Sequence, residues 1–129
     1  MSSDRDGPRE YDREFTVAVD HRIRRRLGFD TVRGDVVRFV VQLEYYHDDD
    51  WHEVVRYDHD GTDENERSHD VSEDGLHIDI YRSGEKVASE YISPPQPPPI
   101  ALDSAEDHLT KNLERFINRY ERWHEIRNR

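Results

Sequence analysis

The 129-residue chain contains no cysteine, only two lysines and one methionine, and no long run of apolar residues. Without cysteine it can form neither a disulfide nor a thiolate metal site. Its apolar segments are too short for a signal peptide or for a membrane-spanning helix, which needs about 20 apolar residues. We therefore predict a cytoplasmic protein that has no membrane partner.

Lysine is scarce although charged residues are abundant. Lys86 and Lys111 are the only lysines among 19 basic residues, and 30 acidic residues give a formal net charge of -11. Residues 36–102 hold sixteen acids and five bases, so this region carries the whole excess of negative charge. Such an acid-rich, lysine-poor composition resembles that of proteins from salt-accumulating haloarchaea. The alternative is an ordinary acidic cytosolic protein.

The dense negative charge predicts that the folded state requires molar salt. At 1 M ionic strength the Debye length is about 3 Å, so crowded carboxylates scarcely repel each other. In dilute buffer the same charges oppose the compact state. The melting temperature should rise as KCl is raised into the molar range. A melting temperature that falls with added KCl would favour the ordinary acidic protein.

Alternating apolar and polar residues predict the strands. They indicate strands at residues 14–26, 35–46, 51–58, 76–81 and 86–92. The second and third strands are joined by an acidic turn, residues 47–50, and form the hairpin around which the chain is arranged. The core face of the second strand comprises Val37, Phe39, Val41, Leu43 and Tyr45. Its other face mixes apolar and polar side chains, which a second copy of the chain would cover.

Helical spacing and composition define the remaining segments. Residues 1–12 are predicted to be a disordered polar tail, 59–75 an acidic loop and 94–99 a polyproline spacer. Residues 103–126 are predicted to form a long helix that begins with a capping pattern, and residues 127–129 its frayed end. The apolar face of this helix comprises Ala105, Leu109, Leu113, Phe116, Ile117, Tyr120 and Trp123. A separate basic stripe comprises Lys111, Arg115, Arg119 and Arg122.

Together these elements predict one α+β domain over residues 13–126. The expected fold is an antiparallel meander sheet of four or five strands with the long C-terminal helix packed on one face. The basic stripe would then meet solvent or the acidic loops. Alternatively it forms a groove that binds RNA.

The candidate chemistry lies where the third strand ends. Arg56, Tyr57, Asp58 and His69 are the candidate catalytic residues, because histidine and carboxylate side chains perform acid–base work near neutral pH. His59, His69 and Asp70 are candidate ligands for a divalent metal. The alternative is that Arg56 and Asp58 pair across strands and the histidines lie in a solvated loop. The sequence has no nucleophile elbow, phosphate loop or dinucleotide fingerprint, so no cofactor is predicted.

The candidate site residues also belong to a sequence pattern that resembles known proteins. The pattern Trp51-x-x-Val-Val-Arg-Tyr-Asp58, a later His69-x-Val71 and the helix end Arg119-Tyr-Glu-Arg-Trp123 resemble a family of small prokaryotic proteins that is frequent in archaea. More loosely, the pattern is similar to TumE-type toxins of toxin–antitoxin pairs. Such toxins carry an Asp-x-x-His-Gly step, which here is one residue shorter. The resemblance implies that Arg56, Tyr57, Asp58 and His69 belong to a site.

Three functional hypotheses follow. We favour a non-catalytic interaction module that forms a homodimer or binds a partner protein. The alternative is a TumE-like effector that acts on RNA through Arg56, Asp58 and His69 with the helix arginines. The third hypothesis is a metal-binding module that uses His59, His69 and Asp70.

Overall fold

The computed structural model describes residues 10–61 and 69–126 and shows an α+β fold. Six antiparallel strands form one sheet in which each strand lies beside its neighbour in sequence. The strands are β1 (Arg13–Asp20), β2 (Ile23–Val32), β3 (Asp35–His47), β4 (Asp50–Asp60), β5 (Leu76–Arg82) and β6 (Glu85–Ser93). The helices are α1 (Val71–Asp74) and α2 (Pro98–Trp123). The predicted meander and C-terminal helix are confirmed, but the prediction of four or five strands is wrong by one or two.

The additional strand arises from a chain reversal in the N-terminal part of the sheet. The predicted first strand, residues 14–26, is in fact β1 and the start of β2. The Asp20 carboxylate accepts a hydrogen bond from the Arg22 N–H at 2.8 Å, which supports a tight turn. The period-two pattern continues through this turn, so it gives no sign of the reversal. Gly28, which falls between the first two predicted strands, lies within β2, and the turn follows at Arg33 and Gly34, which both have positive φ.

The core lies between the sheet and α2, which packs mainly on β3 and also touches β4 and β5. The apolar face predicted for the helix supplies the buried residues Ala105, Leu109, Phe116, Ile117 and Tyr120. The sheet contributes Phe39, Val41, Leu43, Tyr45, Val55, Tyr57, Ile78 and Ile80, among others. Val37, expected in this core, is exposed. The core residues therefore follow the two predicted periodicities except near the start of β3.

Helix α2 begins five residues before the predicted capping pattern. Pro97 is the N-cap and Pro98 the first helical residue. Proline is tolerated there because the first helical N–H groups have no acceptor within the helix. The predicted polyproline spacer at 94–99 therefore runs into the first turn of α2.

The chain segments expected to lack order are described only in part. Residues 1–9, 62–68 and 127–129 lie outside the described residues, so most of the predicted tail and part of the predicted acidic loop are not described. Tyr11 is buried against Gly28, where a Cβ would approach the Tyr11 ring to 2.7 Å. Asp70 caps the short helix α1. Within the described residues, no helix is both long and apolar enough to cross a membrane.

Candidate functional site

The face of the sheet opposite α2 carries charged side chains that are largely buried. We call it the polar face; it includes Arg24, Arg26, Gln42, Glu44, Arg56, Asp58 and Asp79. Strand register places Arg24 beside Glu44, and Arg56 between Gln42 and Asp79. Glu44 is 5% exposed, Asp58 3% and Asp79 1%. Because a buried charge is costly unless it is paired, these carboxylates need cationic or hydrogen-bonding partners.

Glu44 is the centre of the first group on the polar face. Its carboxylate accepts hydrogen bonds from Arg24 Nε at 2.6 Å, Gln42 Nε2 at 2.5 Å and Arg26 Nη1 at 3.3 Å. The Arg24 guanidinium also lies 3.9 Å from the centre of the Trp51 ring. Gln42 Oε1 accepts a bond from Arg56 Nη1 at 3.2 Å, which links this group to the next.

The second group brings Arg56, Asp58 and His69 together with Asp79. Arg56 Nε donates to Asp58 Oδ2 at 2.9 Å, and the His69 N–H donates to Asp58 Oδ1 at 3.2 Å. The His69 ring reaches Asp79, with Nε2 and Oδ1 3.0 Å apart. Lys86 Nζ lies 3.6 Å from Asp79 Oδ2. We call Asp58, His69 and Asp79 the Asp58 cluster.

Charge pairing sets the ionisation of this cluster. The hydrogen bond to Asp79 raises the pKa of His69. Burial alone would raise the pKa of Asp79, but hydrogen bonds from His69 and Ser89 outweigh it and lower that pKa. A carboxylate that binds one imidazole nitrogen orients the ring, which is the arrangement used for general acid–base chemistry. The cluster therefore has the parts of a proton-transfer site and of a cation site.

Tyr57 and His59 point to the other side of the sheet, because side chains alternate along β4. The Tyr57 hydroxyl hydrogen-bonds His108 Nδ1 of α2 at 2.8 Å, and burial raises the pKa of Tyr57. His59 Nδ1 accepts the Val71 N–H at 3.0 Å, and burial lowers the pKa of His59. Among the predicted catalytic residues, Arg56, Asp58 and His69 are in contact, whereas Tyr57 faces α2.

The three predicted metal ligands do not converge. His59 Nδ1 lies 3.8 Å from Asp70 Oδ1, which also accepts the Ser72 N–H at 3.0 Å to cap α1. His69 turns instead to the polar face. Within the described residues, the group of three or more potential ligands that lie close enough to share an ion is the Asp58 cluster. Asp79 was not among the predicted site residues. The one indication in the sequence is that an acidic residue stands between the apolar residues Ile78 and Ile80.

The basic stripe of α2 lies on the opposite side of the sheet from the Asp58 cluster. Lys111 pairs with Asp107 at 2.8 Å, and the Arg115 guanidinium donates to Asn112 Oδ1 at 3.2 and 3.3 Å. Arg119 lies 5.2 Å from the centre of the Trp123 ring. These cations are therefore partly engaged with neighbours on their own helix, and the sheet separates them from His69.

Comparisons with curated proteins and with solved structures each returned no match. One family model, described as "Domain of unknown function (DUF7718)", matches residues 8–126. The match spans all six strands, both helices and the Asp58 cluster. The description of this family names no activity, so the similarity to TumE-type toxins stays a prediction. The chain belongs to the family of the domain of unknown function DUF7718.

Proposed function

We propose that the protein is a non-catalytic interaction module that forms a homodimer through strand β1. One observation carries this proposal. β1 is an edge strand of the sheet, and its side chains Phe15 and Val17 are 47% and 60% exposed. Edge strands of proteins that stay monomeric are usually protected by charges, proline or a covering segment, since their free N–H and C=O groups pair readily with another strand.

The exposed apolar side chains Phe15 and Val17 of β1 face the same side of the sheet as α2. Phe15 is paired with Leu27, and Val17 with Arg25. Among the described residues, helix α2 packs mainly on β3, β4 and β5 and reaches β2 through the bond from Arg25 to Thr110, so its main contacts lie away from β1. A groove of about 270 Å³ lies between α2 and this end of the sheet, and its lining includes Phe15, Val17, Leu27 and Glu106. A contiguous apolar strip beside an open strand edge is typical of a protein interface.

The sequence of β1 suits pairing with a second copy of itself. In an antiparallel pair with Thr16 on the two-fold axis, Phe15 lies opposite Val17 of the second copy, and both face the apolar side. Glu14 then lies opposite Ala18, so like charges are not directly opposed at the centre of the pair. Such a two-fold contact joins two six-stranded sheets into one and pairs the β1 edge of each copy.

The dimer is tested by placing a charge on each edge of the sheet in turn. Val17→Lys puts an ammonium group next to the proposed two-fold axis, so this variant should be monomeric. Val87→Lys is the matched control, because Val87 lies on the other edge strand, β6, and is 52% exposed. Light scattering in molar KCl should give twice the 15.5 kDa chain mass for the wild type and for Val87→Lys.

Three results would contradict the dimer. The wild type would be monomeric at micromolar concentrations, or Val17→Lys would keep the wild-type mass, or only Val87→Lys would dissociate. The last result would place the interface on β6. Both valines are exposed, so circular dichroism should show the same fold for all three proteins.

An effector that acts on RNA is the second candidate. The observation that favours it is that the Arg56 side chain and the His69 main-chain N–H both donate to Asp58, which brings an arginine and a histidine together on the polar face. An imidazole could accept the proton of a ribose hydroxyl, and an arginine could stabilise phosphate charge. We rank this candidate second because Arg56 is already held by Asp58, and the α2 arginines lie on the other side of the sheet.

Growth after induced expression in a host that accumulates molar salt separates the two candidates. An RNA effector should arrest growth, and Asp58→Ala and His69→Ala should relieve the arrest while accumulating as folded protein. His77→Ala serves as the control, because His77 stacks on His69 but lies outside the hydrogen-bonded group. A harmless wild type would remove this candidate.

A further inference from the structure

Three side chains with metal-binding groups converge on the polar face from three segments. Asp58 lies near the end of β4, His69 precedes α1, and Asp79 lies in the middle of β5. One ligand atom from each lies within 4.8 Å of the other two. We propose that Asp58, His69 and Asp79 bind a single divalent cation of the first transition row, a role beyond the dimer proposed for β1.

Burial distinguishes this cluster from the many surface carboxylates of an acidic chain. Asp58 and Asp79 are almost fully buried, and the His69 side chain is four-fifths buried. Two desolvated carboxylates side by side repel each other and are stabilised by a cation between them. The cations already present bind the oxygen of each carboxylate that does not contact His69: Arg56 binds Asp58 Oδ2, and Lys86 is 3.6 Å from Asp79 Oδ2.

The main chain and a neighbouring ring hold His69 in place. Its N–H donates to Asp58 at 3.2 Å, and its C=O accepts the Asp60 N–H at 2.9 Å. Its ring stacks on His77, with centres 4.8 Å apart and planes 9° apart. Metal sites use such outer contacts to orient their ligands. Arg56 and Ser89 orient the two carboxylates in the same way.

The ligand set indicates which ion fits. One imidazole nitrogen and two carboxylates suit Mn²⁺, Fe²⁺ or Zn²⁺ better than Ca²⁺ or Mg²⁺, which prefer ligand sets made of oxygen alone. An ion about 2.0–2.2 Å from each ligand atom holds these atoms about 3–4 Å apart. Small side-chain rotations close the observed spacing, and the ion then takes the place of the proton between His69 Nε2 and Asp79, which is released to solvent. Three protein ligands leave further positions open to water.

Manganese binding tests the proposal on the full chain. Chelator-treated protein in molar KCl is titrated with Mn²⁺, and the loss of the sharp paramagnetic resonance signal of free Mn²⁺ measures binding. The wild type should bind one ion per chain in a saturable manner. His69→Gln and Asp79→Asn should weaken binding by more than about 100-fold, which exceeds the cost of losing an outer hydrogen-bond partner. His21→Gln is the matched control, because His21 is exposed in the turn between β1 and β2 and should leave Mn²⁺ binding unchanged.

Three outcomes overturn the proposed metal site. Uptake that does not saturate, or that persists in folded His69→Gln, would be diffuse binding to the 30 acidic residues of the chain. Loss of binding in His21→Gln would show that the ion binds outside the Asp58 cluster. Because Asp79 is buried, His69→Gln decides the test if circular dichroism shows that Asp79→Asn is unfolded. The chain mass is measured separately, so failure of the dimer and failure of the metal site are distinguishable.

Discussion

Glu44→Ala should lower the free energy of unfolding by about 3–5 kcal/mol. The Glu44 carboxylate is buried and accepts hydrogen bonds from Arg24, Arg26 and Gln42. Arg24 is itself buried, with its Nε 2.6 Å from Glu44. The substitution therefore removes the carboxylate that Arg24 and Arg26 of β2 share in a poorly solvated region. Losing one partner of a buried ion pair costs far more than losing an exposed pair.

Urea unfolding at constant molar KCl measures this loss. Glu85→Ala is the control, since Glu85 is exposed at the start of β6 and should change the free energy of unfolding by less than about 0.5 kcal/mol. The double variant Arg24→Met, Glu44→Leu should lose less than Glu44→Ala, because it removes the buried charge together with its partner. A loss below about 1 kcal/mol for Glu44→Ala would show that water already screens these charges.

Gly75→Ala should cost at least about 3 kcal/mol of stability, because both conformation and space oppose a side chain there. Gly75 ends α1 with φ +84° and ψ 178°, a region that side chains almost never adopt. An added Cβ would lie 2.4 Å from the carbonyl oxygen of Ser93 and 3.1 Å from the Tyr91 ring. The backbone between α1 and β5 must therefore shift.

Gly34→Ala provides the comparison for a glycine of positive φ that has neither the clash nor the extended ψ of Gly75. Gly34 also has positive φ, +87°, but nothing lies within 4 Å of its added Cβ. Its substitution should cost only about 1–2 kcal/mol, the conformational penalty of a left-handed residue. The two variants are compared by urea unfolding under the same conditions. Equal losses would contradict the close packing of Gly75 against β6.

The elements that depend on local pattern were predictable. Leu109, Phe116 and Ile117 follow the 3.6-residue period of α2, and Phe39 and Leu43 follow the two-residue period of β3; all five are buried in the core. The reversal between β1 and β2 was not predictable from period, because a short turn interrupts neither the alternation nor the charge pattern. The one local indication of this reversal is Asp20, whose carboxylate accepts a hydrogen bond from the Arg22 N–H.

The candidate site was predictable only in part. Arg56 and Asp58 are two residues apart on one strand, so alternation alone puts them on the same face and excludes Tyr57 from it. His69 joins them through its main-chain N–H bond to Asp58. Asp79 was missed because it meets Arg56 through the pairing of β4 with β5, which spans more than twenty residues of chain. A pattern within one strand contains no information about such a partner.

By itself the sequence determined the α+β class, the meander order, the helix that covers the core and the acidic charge, because each depends on composition or on neighbours a few residues apart. Only the tertiary structure decided which strand became the open edge, which charges were buried on the polar face, and that Asp79 lies beside His69. These features depend on register and on where α2 crosses the sheet. Both are set by the packing of the whole core rather than by any one segment.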